Sequence, residues 1–211
     1  MANQTQNALL NEAFVTITNA LNNPQLQEAL SHYGYTAPRL RTGLERHATA
    51  KQLTRQRQRA IQTAKETAEL YQSSREQLVE RFQMHRELAR VAYKREAAHT
   101  DHLKLTGARE TTIVDLLAQA ETFYANVPTA MMEKYHVPRK ELNEMTKLVA
   151  KVQELQAMQR DTQSQVQSLT QLRLRAIKAL QTWMRRFMTV AKVALEEQPQ
   201  QLEALGQTVT S

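Results

Sequence analysis

The side chains that could act on another molecule are six histidines, 21 carboxylates and 28 lysines and arginines; there is no cysteine. Glu96-Ala97-Ala98-His99 and Glu133-Lys134-Tyr135-His136 each set a carboxylate and an imidazole three residues apart. On a helix that spacing puts both on one face, as in di-iron bundles. His102 follows His99 at the same interval, with Asp101 between. Glu96, His99 and His102 are therefore the weak metal candidates, and a metal-dependent bundle enzyme is the third reading of the chain. Such centres, however, lie deep in facing helices and need core glutamates from two further helices. These motifs lie beside Gly107 and Pro138, where helices end, and a protonated imidazole near a helix C-terminus is favoured by the macrodipole alone. No metal and no cofactor are expected.

Other catalytic chemistry finds less support. His85 falls on an apolar seam, where a hydrogen-bonded core imidazole is the usual outcome, and His47 is expected at a core edge. Four scattered glycines cannot build a phosphate-cradling loop. Without cysteine there is neither a thiol nucleophile nor a thiolate zinc site. No catalytic residue is assigned.

Charge is more informative. The formal excess is +7, and residues 39–65 alone carry eight cations against Glu45. Within that run Lys51, Arg55 and Arg59 repeat every four residues and share a helix face, with Arg57 between them. Lys51, Arg55, Arg57 and Arg59 are the candidate contacts to nucleic acid, binding phosphates without regard to sequence. No Phe, Trp or Tyr lies between 36 and 70 to stack a base. A solvated basic face is the heavier reading. A second acid-free basic run covers 173–192, which also holds Trp183, Met184, Phe187 and Met188. That composition suits a partner-seeking helix, though core is again the heavier reading.

The elements that must position these groups are helices. Apolar residues recur at three- and four-residue steps, and no stretch alternates with period two. One seam runs Ile61, Ala64, Ala68, Tyr71, Arg75, Leu78, Phe82, His85, Ala89, Ala92; another runs Val166, Leu169, Leu172, Ala176, Leu180, Trp183, Phe187, Val190, Ala194. Asn23-Pro24 starts a short helix that Gly34 ends, and a new helix starts at Thr36-Ala37-Pro38. Ser73-Ser74 followed by Glu76 and Gln77 reads as a capping box, which divides 38–106 into two helices of about 30 residues. One unbroken rod is the alternative.

Residues repeat at an offset of 102: Tyr33 with Tyr135, Leu40 with Leu142, Leu78 with Leu180, Ala89-Arg90-Val91-Ala92 with Ala191-Lys192-Val193-Ala194. Upstream, Phe14, Val15 and Leu21 meet Leu116, Leu117 and Phe123. The expected protein is all-α: antiparallel helical bundles in tandem duplication, two long and two short helices per repeat, halves 1–107 and 108–211.

The N-terminus lacks the basic start and apolar run of a signal peptide, and no segment is apolar enough to span a membrane, so a cytoplasmic protein is expected. The function expected first is a non-enzymatic structural or protein-interaction module, a coiled-coil-like bundle acting through helix surfaces on a second copy, as a homodimer, or on another helical protein; sequence-independent nucleic-acid binding through 39–65 is the alternative. If Gly43 is helical, Gly43→Ala should stabilise by roughly 0.5–1 kcal/mol.

Overall fold

A computed structural model describes residues 2–94, 97–106 and 112–206. Among these the elements are all helical: α1 (Ala2–Asn22), α2 (Pro24–His32), α3 (Ala37–Ala92), α4 (Ala97–His102), α5 (Ile113–Asn126), α6 (Thr129–Glu133), α7 (Arg139–Ala194) and α8 (Pro199–Ala204). The chain is an all-α helical bundle dominated by α3 and α7, each of 56 residues. No helix among the described residues is long and apolar enough to cross a membrane.

The short helices begin and end where local chemistry directs. Asn23 caps α2, its side-chain oxygen accepting from the amides of Gln25 at 3.0 Å and Leu26 at 3.3 Å, with Pro24 in the first turn. Gly34 turns left-handed after the helix at φ 80°, and the Tyr35 amide reaches back to the Leu30 carbonyl at 3.0 Å. The same closure recurs 102 positions on, where His136 takes φ 62° and the Val137 amide bonds the Met132 carbonyl at 3.1 Å.

The expected division at Ser73-Ser74 does not occur; α3 passes through both residues. A cap is useful only where the helix would otherwise stop. Here Tyr71, Leu78 and Phe82 all pack into one core, so continuing keeps the seam buried, at the cost of only the modest helix penalty of serine. Each half of the sequence therefore holds one 56-residue helix, not two of about 30. Gly107, expected to close a helix, lies outside the described residues. The left-handed residue equivalent to Gly206 (φ 85°) is Lys104 (φ 49°).

The first seam is buried or half-buried at every position. The second needs one correction. Leu172 is 45% exposed, whereas Arg173 is buried, because the three-four rhythm steps from Leu169 to Arg173 and on to Ala176. The long stem of Arg173 fills the seam position, and its guanidinium donates to Gln6.

Two spatial units result: residues 1–61 with 165–211, and residues 62–164. Unit 1 buries Ala13, Ile17 and Ala20 of α1 and Leu26 and Leu30 of α2 with Leu40 of α3 and Leu180 and Phe187 of α7. Unit 2 buries Leu117, Ala120 and Phe123 of α5 with Leu78 and Phe82 of α3 and Leu142, Met145 and Val149 of α7. Each unit thus draws on both halves, 1–107 and 108–211, of the sequence.

Equivalences at 102 extend to element bounds: 37–92 with 139–194, and 97–102 with 199–204. Upstream the register differs from the one expected. Phe14 and Val15 are exposed, while buried Ala13, Thr16, Ile17 and Ala20 answer buried Leu116, Gln119, Ala120 and Phe123 at 103.

Candidate functional site

In unit 1 the N-terminal part of α3 lies along the C-terminal part of α7. Tyr35, just before α3, meets Trp183 edge-on at 5.9 Å and Phe187 at 5.1 Å; Trp183 stacks on Phe187 at 5.3 Å. The six-membered ring of the indole lies over Gly43, where a Cβ would stand 2.5 Å from Cη2. Glycine is needed here for space, the residue being helical with no positive φ. Residues on α3 and α7 thus meet antiparallel, and the basic runs 39–65 and 173–192, far apart in sequence, come together.

Their meeting forms an open groove of about 580 Å³. Arg39 and Arg46 line it from α3, and Arg175, Lys178 and Arg186 from α7, around the half-buried Trp183. Among the described residues no carboxylate lines it. All five cations are exposed. Arg39 lies 4.2 Å above the Tyr35 ring and donates to the Gly34 carbonyl at 3.3 Å, so its head is oriented by contacts that leave its charge unneutralised. Among the described residues none of the five is in an ion pair.

The candidates of the 51–59 run separate. Lys51, Arg55 and Arg59 are exposed; Lys51 and Arg55 border a second hollow, of about 330 Å³, together with Asn7 and Asn11 of α1. Arg57 turns the other way. It is half-buried and donates from Nε to Thr170 Oγ1 at 2.8 Å. Arg57 stands 18 residues, five helical turns, beyond Arg39, so it points toward α7 as Arg39 does. Beside it, Arg173 is held below its ordinary basicity, first by burial and then by the Arg57 charge, and its Nε has no hydrogen-bond partner among the described residues. His47, at the edge of the second hollow, lies 5.3 Å from Phe14. Burial lowers its pKa, the Lys51 charge lowers it further, and a backbone hydrogen bond at Leu10 opposes both.

Unit 2 carries the equivalent groove, of about 540 Å³, with different chemistry. Position 183 becomes Arg81, position 43 becomes Met145 and position 39 becomes Glu141. Glu141 and Glu144 line it with Arg81, Lys140, Lys147 and Lys151, so half of its positive charge is offset. Behind it His85 is fully buried. Its Nε2 lies 3.2 Å from Glu141 Oε1 and its Nδ1 3.1 Å from the Tyr124 hydroxyl; Arg81 pairs with the same carboxylate at 3.4 Å. Since a carboxylate only accepts, the neutral imidazole donates from Nε2 and accepts the Tyr124 hydroxyl at Nδ1. Burial depresses the His85 pKa more than Glu141 raises it. The Tyr124 hydroxyl is pushed well above its ordinary value, chiefly by burial and then by the Glu141 charge. A phenol so held is no nucleophile. The network ties α3, α5 and α7 together.

The metal candidates gain no geometry. Glu96 and the His99 side chain lie outside the described residues, and His102 is exposed. Glu133 and His136 are exposed at a helix end, where His136 is the left-handed closing residue. Among the described residues no three His, Asp or Glu side chains gather as an ion would need.

Sequence reasoning saw both basic runs but not their meeting, and it looked for a stacking aromatic only inside 36–70. The available signal was Gly43 in mid-helix: its equivalent is Met145, and the equivalent of Arg81 is Trp183, so bulk lost at one site is regained at the other. Compared with protein-family models, curated proteins and solved structures, the chain matches none.

Proposed function

We propose that this protein is a non-enzymatic helical binding module, cytoplasmic, that engages nucleic acid without regard to sequence through the basic surfaces of unit 1. The observation that carries the reading is the acid-free groove of Arg39, Arg46, Arg175, Lys178 and Arg186, supplemented by the exposed strip of Lys51, Arg55 and Arg59. Phosphates satisfy such an array, and releasing their counterions drives association. A tandem duplication underlies the reading: the common offset of 102 in helix bounds supports it, as do the left-handed pairs Gly34/His136 and Lys104/Gly206. Because Glu141 and Glu144 line the equivalent groove, the acid-free lining is a property of one copy and not a demand of the scaffold.

Gel shift with arbitrary-sequence nucleic acid at about 50 and 200 mM salt tests the reading, since phosphate-driven binding falls steeply across that range. Replacing Lys51, Arg55, Arg59, Arg175 and Lys178 by Gln should abolish the shift. Arg57 is left in place because it bonds Thr170. Equal retention of the variant and the parent would end the proposal.

Self-association as a homodimer is the second reading, favoured by the exposed Leu172 and Leu174 of α7. Light scattering over a dilution series decides it, a single-chain mass throughout counting against the dimer.

A further inference from the structure

We infer that the Trp183 groove of unit 1 is a site for single-stranded nucleic acid, with phosphates on the flanking cations and an unpaired base against the indole. The inference rests on the nucleic-acid reading above and narrows it to one surface and one form of ligand.

Three observations converge. The first is charge: five exposed cations from two helices line the groove and no carboxylate does. The second is the aromatic at its centre. Trp183 is half-buried, backed by Phe187 and seated on Gly43. Its orientation is fixed before any ligand arrives, which lowers the cost of ordering it. The third is size. About 580 Å³ of open space accommodates a base with its sugar and neighbouring phosphates. Base–aromatic stacking is tolerant of sequence and serves only bases that are not already stacked in a duplex.

The other surfaces lack this combination. Lys51 and Arg55 share a smaller hollow with His47, whose ring lies against Phe14, and bring two cations to it where the Trp183 groove has five. In the unit 2 groove the indole position is Arg81, paired with Glu141.

The test uses the full chain at fixed moderate salt, with a 12-nucleotide oligo(dT), a 12-base-pair duplex and inorganic polyphosphate. Trp183 is the single tryptophan, so its emission reports directly on the groove. Oligo(dT) should change that emission and bind more tightly than the duplex. Trp183→Leu should weaken oligo(dT) about 5- to 150-fold, the range of one stacked base, and leave the duplex nearly unaffected. Arg175→Gln with Lys178→Gln, both exposed, should weaken oligo(dT) at least tenfold with an unchanged circular dichroism spectrum. Equal binding of duplex and single strand would overturn the inference, as would an indifferent Arg175/Lys178 variant. Polyphosphate matching oligo(dT) in affinity and in emission change would remove the base contact and overturn it too. If only Lys51, Arg55 and Arg59 matter, the nucleic-acid reading survives and this site falls. If nothing binds at low salt, both fall.

Discussion

Gly43 and Trp183 fit together as socket and plug: the indole of one helix occupies the space a side chain on the other would fill, with a Cβ at Gly43 only 2.5–2.7 Å from three ring carbons. Helix propensity alone predicts that Gly43→Ala stabilises. Packing reverses the sign, since forcing a methyl into a filled site costs about 1–3 kcal/mol, more than the propensity gain. Gly43→Ala should therefore lower the urea midpoint. In a Trp183→Leu background the same substitution should cost much less, and additive effects in that cycle would show that the two residues do not touch.

Leu78 and Leu172 both stand on seams read from the sequence, yet only Leu78 is fully buried, Leu172 being 45% exposed. Leu78→Ala should cost about 2–5 kcal/mol as a core truncation. Leu172→Ala should stay within about 0.5 kcal/mol. Paired denaturation curves decide, and similar losses would restore the uncorrected seam.

His85 and His47 both have pKa values lowered from 6.5 in the folded chain, burial being the larger cause in each. Their unfolded forms therefore take up protons before the folded forms do. Stability should be full above about pH 6.5, decline as pH falls toward the depressed native values, and level off below them. Urea midpoints between pH 8 and 5 will trace this, and a midpoint that rises on acidification would contradict the assignment.

The Tyr124 hydroxyl has His85 as its hydrogen-bond partner at 3.1 Å. His85→Phe, which installs the residue found at the equivalent Phe187, should destabilise by about 1–3 kcal/mol by orphaning that hydroxyl. Adding Tyr124→Phe should recover part of the loss, a non-additivity that double-mutant denaturation reads directly.

His136 holds φ 62° where its equivalent is Gly34 at 80°. A left-handed non-glycine residue costs about 1–2 kcal/mol, so His136→Gly should stabilise by about 0.5–1 kcal/mol once the greater freedom of unfolded glycine is counted. A metal role for Glu133 and His136 would instead show as lost metal content.

What the sequence disclosed was local or periodic. Asn23-Pro24 announced its helix through capping chemistry, and the first seam through its three-four rhythm. The offset of 102 was visible because Tyr33/Tyr135 and Leu78/Leu180 match by identity. Ser73-Ser74 misled because a capping box is a local signal, and local signals yield when the flanking seam keeps its phase. The groove stayed hidden for a different reason. Bringing Arg46 to Arg175 depends on the antiparallel register of two long helices, which the Gly43–Trp183 contact and the core shared by Leu40, Leu180 and Phe187 hold and which the charge pattern does not reveal. Arg57 illustrates the same limit: its charge was legible, its engagement with Thr170 was not.

Unit 1 is assembled from residues 1–61 and 165–211, and unit 2 from what lies between. Cutting the chain after residue 107 would therefore leave neither fragment with a whole interior: the leading piece would keep α1 and α2 but lose the stretch of α7 that seals them. Such fragments would be sticky by construction, each obliged to borrow the missing helix from another molecule.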